Sequence, residues 1–288
     1  MRDTLGTKIF LFRCSSFYWL CSLLGVPHQQ RRRQFYPQLC QPLRQRQRSL
    51  PIHPPSPVEV VWESTQETKP LSEPSGLAFD KQNNIYITNG GNSRVQKFDR
   101  DGKFVMTFGS KGKSEGEFGE PISIAIDSEG NLLVLDVQDA RIQKFDRTGK
   151  FITQYGSWGR AQGQFILPFG LTLDSVDNMY IADRGNARVQ KLDRNGKFLA
   201  EWLLCGPWPL GRPIDIAIDT QGNMYVVDDG NNRVCKYNRD GKYLTSWGGR
   251  AGSANGELKA PFGIVVDDAG YVYVAEWGNK RIQKFKQR

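Results

Sequence analysis

Histidine is almost missing from this chain. Of 288 residues only His28 and His53 are histidine, and both precede the repetitive body described below. That body lacks the commonest general base and the commonest metal ligand, which excludes Ser-His-Asp, Cys-His and His-zinc chemistry there. Cysteine is scarce as well. Cys14, Cys21 and Cys40 lie in the N-terminal tail, and the two left in the body, Cys205 and Cys235, spell neither a disulfide framework nor a zinc pattern. The body also has no excess of one charge. The chain carries a net +9, but residues 1–56 hold nine bases against one acid, so that 30 bases face 29 acids in the remainder. A bulk electrostatic case for nucleic acid is therefore weak, and no DNA partner is expected.

Long apolar runs are lacking too. The stretch from Ser15 to Val26 is uncharged and follows Arg2, Lys8 and Arg13. It has the shape of a secretory signal peptide and is short for a membrane span, which needs about 20 residues. Residues 1–27 are thus read as a signal or leader segment. Residues 28–57, with Arg31, Arg32, Arg33, Arg44, Arg46 and Arg48 among glutamines and prolines, form a linker that cannot bury a core; an organelle transit peptide is the alternative. Compartment follows from the tail. Cleavage near Val26 makes the protein secreted, an intact tail keeps it inside, and membrane contact requires that the apolar segment be retained.

From residue 58 to 288 the chain repeats itself. Pro74, Pro121, Pro168, Pro213 and Pro261 recur at intervals of 47, 47, 45 and 48, and Arg94, Arg141, Arg188, Arg233 and Arg281 keep the same intervals. Each unit holds a short run such as GLAFD (76–80), a second such as NIYIT (84–88), a third beginning at the arginine, and a fourth such as KFVMTF (103–108). These runs are rich in β-branched and aromatic residues and are separated by Gly, Asn and Asp, as strands of a meander are. Asp101-Gly102, Thr148-Gly149, Asn195-Gly196 and Asp240-Gly241 stand where the third strand turns into the fourth and suggest tight left-handed hairpin turns. One meander cannot bury both faces, whereas copies set radially can. The expected fold is an all-β propeller of four-stranded antiparallel blades, five in number. The fifth unit ends after its third strand, and VEVVW (58–62) is expected to supply the fourth and close the ring.

The unit P-x-G-[IL]-[AVT]-x-D, followed by [GDN]-[NY]-[IMV]-Y-[IV]-[AVT]-[DEN] and G-N-x-R-[VI]-Q-K, resembles the NHL repeat, most closely in DRGNARVQK (183–191). Unit two departs, with Ser123 for Gly, Leu133 for Tyr and VQDAR (137–141) for the loop. The resemblance covers Val58 to Arg288. It implies a propeller usually built of six blades, so this is either a five-bladed variant or a sequence short of one. It also implies a binding module like those of tripartite-motif proteins and of bacterial sensor proteins, although no RING, B-box or heptad repeat is present in this sequence. Similar folds include peptidyl-hydroxyglycine lyases, which need zinc-binding histidines. They also include calcium lactonases, for which Glu73, Asn89 and Asp136 or Asp215 are the available oxygen ligands.

Internal repetition provides a control: a residue type found in every unit serves the blade, and one that breaks the pattern needs its own reason. The acids ending strand two (Asp136, Asp183, Asp228, Glu276, with Asn89 as exception) are expected to cap their own loops or pair with the arginine five residues on. Phe118, Phe165 and Leu258 read as plugs between blades. The pattern breakers fall in the loops of one face, here called the top. The first position after the acid runs Gly90, Val137, Arg184, Asp229, Trp277, and the mouth of strand one runs Gly76, Ser123, Gly170, Asp215, Gly263. The loops between blades add Lys111, Lys113, Trp158, Arg160, Trp208, Arg212 and Arg250. Arginine and tryptophan are enriched at interaction hot spots. The top face, with Trp158, Arg160, Arg184, Trp208, Arg212, Asp215, Asp229, Arg250 and Trp277, is the expected surface for a protein or peptide partner of a monomeric propeller. Single-stranded RNA is the alternative occupant. No catalytic residue, metal or cofactor is expected for the binding reading, and a calcium-dependent hydrolase is the enzymatic alternative.

Overall fold

A computed structural model describes residues 70–286. Within them the chain forms five antiparallel blades of a β-propeller, and each runs outward in sequence order from an innermost first strand. The first strands are Pro74–Phe79, Pro121–Ile126, Pro168–Leu173, Pro213–Ile218 and Pro261–Val266. The second strands are Ile85–Asn89, Leu132–Asp136, Met179–Asp183, Met224–Asp228 and Tyr271–Glu276; each third strand starts at its repeat arginine, from Arg94–Phe98 to Arg281–Lys286. Blades one to four end in Phe104–Phe108, Phe151–Tyr155, Phe198–Trp202 and Tyr243–Gly248. The fifth has three strands among the described residues. Val58–Trp62, proposed to complete it, lies outside them, as do the leader and linker.

Strand two of blades one to four is buried along its whole length, and in blades two to four both of its faces meet a neighbouring blade. Alternation sorts the side chains between the two interfaces. Leu132 and Val134 join Tyr86 and Val95 between blades one and two, while Leu133 and Leu135 join Leu171 and Ile181 between blades two and three. The plugs behave as expected: Phe118, Phe165 and Leu258 are fully buried.

First strands of successive blades lie side by side around the axis, close enough to dictate residue type. A Cβ on Gly170 would stand 2.9 Å from both Asp215 Cα and Ile214 O. Asp215 belongs to this seam and not to the top surface. It is fully buried, and its Oδ2 accepts the Ile264 N–H of blade five at 3.0 Å. Ser123 is buried likewise and accepts the Leu171 N–H at 3.3 Å. The expectation that this column opens onto a binding surface is corrected: a polar residue at the closest approach of two strands is used to stitch them.

The turns into the fourth strands differ from the expected two-residue hairpin. Only the glycines take the left-handed conformation, with φ of 80°, 85°, 84° and 82° at Gly102, Gly149, Gly196 and Gly241. Gly102 N–H donates to Asp99 O (3.0 Å), Asp99 N–H donates to Lys103 O (2.9 Å), and Asp99 Oδ1 accepts the N–H groups of Asp101 and Lys103. This is a longer turn with a glycine bulge, and the aspartate before the hairpin, rather than the one inside it, organises it.

Burial changes at the last blade. The residue after the repeat arginine is Val95, Ile142, Val189, Val234 and Ile282; the first four are 0% exposed and Ile282 is 66% exposed. Each of the four points into the interface with the following blade. Val234→Ala is therefore expected to lower stability by about 2 kcal/mol, since two methyl groups leave a closed interface. Ile282→Ala should change stability by no more than about 0.5 kcal/mol. Urea denaturation of the two variants measures the difference, and equal losses would contradict the unequal cover of these faces.

Candidate functional site

The top face is built on a repeated loop clamp. In blade three the Asp183 carboxylate accepts the Ile166 N–H (2.8 Å) and Arg188 Nε (2.8 Å), and the same guanidinium reaches Ala161 O and Gln164 O at 2.9 Å and Glu201 Oε2 at 3.0 Å. Blade five repeats this with Glu276 and Arg281, whose guanidinium reaches Ala254 O and Glu257 O. In blade two Asp136 accepts the Gly119 and Glu120 N–H groups, and Arg141 Nε stands 4.0 Å away. The acid column is thus consumed in capping loops and pairing with arginine. Burial is the largest influence on these acids and raises the pKa of Asp136 and Asp183. For Glu276 burial also works upward, but hydrogen bonds from Arg281, the Lys259 N–H, Gln283 and Asn279 prevail and lower it.

A glutamine two residues after the arginine completes the clamp. Gln143 Nε2 donates to Glu117 O (2.6 Å) while its Oε1 accepts the Gly116 N–H (2.9 Å); Gln190 does the same with Gln164 O and Gly163, and Gln283 with Glu257 O and Gly256. Blade four has Cys235 in this column, and Cys235 is disulfide-bonded to Cys205 in the loop that enters the blade. A covalent bond thus holds this loop where an amide holds the others. Body cysteines read as carrying no disulfide are therefore corrected: strand pairing and the hairpin of Leu204–Cys205 with Trp208–Pro209 bring together two residues 30 apart in sequence.

Between the clamps, the loops after strand two meet the loops that enter each blade. Gly185 N–H donates to Ile166 O, Asp229 N–H to Arg212 O and Trp277 N–H to Ala260 O. The expected surface residues divide accordingly. Trp158, Trp208 and Trp277 are exposed, and so are Arg160, Arg212 and Arg250. Arg250 faces Glu257 of its own loop at 3.9 Å. Three of the nine converge: Asp229 Oδ2 lies 3.3 Å from Arg212 Nη2 and 3.9 Å from Arg184 Nη2. Phe169, which sequence reading missed, lies against Arg184, its ring centroid 5.3 Å from the guanidinium carbon. The signal was present in the column after the repeat proline, Ser75, Ile122, Phe169, Ile214, Phe262, where aromatic residues break the pattern.

This corner is electrostatically taut. Burial lowers the Arg184 pKa, and the nearby positive charge of Arg212 adds to the effect. Burial raises the pKa of Asp229 and outweighs the two guanidinium groups that act to lower it. No group of three or more His, Cys, Asp or Glu side chains among the described residues is placed to hold a metal ion. Of the oxygens considered for calcium, Asn89 Oδ1 accepts the Ser72 N–H, both Asp136 oxygens accept the backbone donors given above, and Asp215 Oδ2 accepts the Ile264 N–H.

Comparison with known proteins agrees with the architecture. A family described as DUF5128, 6-bladed beta-propeller, matches residues 56–155, whereas five blades are seen here. "Protein brain tumor" of Drosophila melanogaster is 40% identical over 47 residues, 16% of this chain and 4% of that protein. A streptogramin B lyase structure superposes with a TM-score of 0.56 at 18% identity, covering 75% of this chain and 69% of that one. A nidogen/laminin complex gives 0.56 at 21% identity over 72% and 73% of the two chains. A catalytically inactive histidine-to-alanine variant of virginiamycin B lyase from Staphylococcus aureus with quinupristin gives 0.55 at 16% identity over 73% and 69%. At these identities the structural likeness concerns the fold alone.

The substituted clamp in blade four has a measurable consequence. A Cys205→Ala/Cys235→Ala variant is expected to lose about 2–4 kcal/mol of stability, the usual worth of a disulfide closing a loop of this length. Amide hydrogen exchange should quicken at residues 203–212 and stay unchanged in the other entering loops. Undiminished protection at 203–212 would show that the disulfide does not hold the loop.

Proposed function

We propose that this propeller is a non-catalytic binding module whose top face docks a protein or peptide. The observation that carries the reading is the division of labour among its loops. Acid, arginine and glutamine in the repeated columns are spent on holding the blades, while the exposed Trp158, Trp208 and Trp277 and the Arg184–Arg212–Asp229 group occupy non-repeating positions of the same face. Large aromatic and arginine side chains on rigid, prepaid loops bind at small entropic cost, because ordering the loops requires no further free energy at the moment of association.

The NHL-like repeat supports the same reading, as does the near-neutral body, which disfavours polyanions. Some propellers of similar fold are lyases, and in one of them replacing a histidine accompanies loss of catalysis. Neither histidine of this chain lies in the repeats. In our reading the partner determines the cellular role, as an adaptor or scaffold in a larger assembly of the ubiquitin-ligase or sensor type.

Peptides selected from a random display library against the intact protein test the proposal. Trp208→Ala together with Trp277→Ala is expected to weaken their binding at least about tenfold with the melting temperature unchanged, as for exposed hot-spot residues. Unchanged affinity would refute the top-face assignment. Tight binding of single-stranded RNA that falls steeply between low and moderate salt would replace the peptide reading.

A further inference from the structure

The two classes of arginine on the top face differ in what satisfies them. Arg188, at the root of the loop, donates to Asp183, Glu201, Ala161 O and Gln164 O and has no donor group idle for lack of an acceptor nearby. Arg184, four residues earlier, makes none of these bonds. Its Nε is buried with no hydrogen-bond partner, as are those of the repeat arginines Arg94 and Arg141. Arg141, however, engages Gln154, Ser114 O and Glu117 O through its terminal nitrogens, whereas the carboxylate oxygen nearest to Arg184 is 3.9 Å from Nη2, beyond hydrogen-bond reach. That oxygen belongs to Asp229 and is already closer to Arg212, at 3.3 Å. Two guanidinium groups thus share one carboxylate. A buried, charged donor left unmatched is costly, and structures ordinarily avoid it.

The arrangement is nevertheless held in place. The Arg184 guanidinium carbon lies 5.3 Å from the centroid of the Phe169 ring, and the arginine side chain remains 17% exposed. Arg212, at the edge, is 52% exposed. The corner therefore has one uncompensated positive charge, planar forked donors and a way in from solvent. We propose that Arg184 and Arg212 form a receptor for a single carboxylate, which in the peptide-binding reading is the side chain of an aspartate or glutamate on the partner. The planar fork of a guanidinium matches a carboxylate through two parallel bonds. Phosphate is disfavoured, because Asp229 stands beside the same donors and repels a second negative charge more strongly than a first.

The inference rests on the top-face reading for its biological partner, but its test does not. The probe is N-acetyl aspartate α-amide, a blocked residue with one carboxylate, titrated into the whole protein while the side-chain N–H resonance of Arg184 is followed by NMR. A saturable shift is expected, with a dissociation constant on the order of tens of millimolar for a single charged contact. N-acetyl asparagine α-amide at equal ionic strength should give none. Arg212→Gln, at an exposed position, should weaken the aspartate probe at least about fivefold without changing the melting temperature. No saturable shift, an equal response to the asparagine probe, or no effect of Arg212→Gln would overturn the proposal. Tighter binding of inorganic phosphate than of the aspartate probe would overturn the carboxylate assignment in favour of a phosphate source. If the probe binds and no display peptide does, the docking reading fails alone; if peptides bind and the probe does not, this inference fails alone.

Discussion

A four-stranded meander with apolar side chains on both faces is not stable as a separate object, and in this chain the contact of one blade with the next resolves that. Leu132 and Val134 turn one way from a single strand while Leu133 and Leu135 turn the other, so the same five residues contribute to two interfaces. Everything else follows from this sharing. First strands must approach closely enough that Gly170 cannot carry a side chain, and where the partner strand does carry one, Asp215 or Ser123, it is drafted into holding the seam.

Stacked blades leave their connecting loops crossing open ground between them, and the repeat spends its few polar core residues on that problem. An acid caps the loop, an arginine ties acid to loop carbonyls, and a glutamine adds two more bonds. Because blades two, three and five solve the problem in the same way, their charged residues have little chemistry left to offer a ligand. Blade four departs from the solution, with a disulfide in the glutamine's place, and its entering loop carries the most exposed of the three top-face tryptophans, Trp208 at 65%. A covalent tie lets that loop have a sequence unlike its counterparts without surrendering its position.

Guanidinium groups illustrate how context sets role. Arg188 and Arg184 stand four residues apart with the same side chain, the first 7% exposed and the second 17%. One is saturated by carbonyls and carboxylates and acts as a strut. The other rests on a phenyl ring beside a carboxylate it shares with a second arginine, and retains capacity for an anion from outside. Charge alone does not separate them; the inventory of acceptors within reach does.

Repetition made the fold readable. Prolines and arginines at matched intervals placed the strands, and the columns between them separated clamp from surface, so that the acid–arginine pairing and the plugs Phe118, Phe165 and Leu258 were evident before any coordinates. The sequence by itself thus determined five blades of alternating strands, since periodic burial is a property of spacing along the chain. Which pattern-breaking residues share a site was decided only by tertiary structure. Asp215 and Asp229 look alike in sequence, yet one closes a seam and the other faces two arginines. Likewise Cys205 and Cys235 meet, and Phe169 slides beneath Arg184, because contacts between residues from different blades depend on how sheets stack in space and leave no periodic mark along the chain.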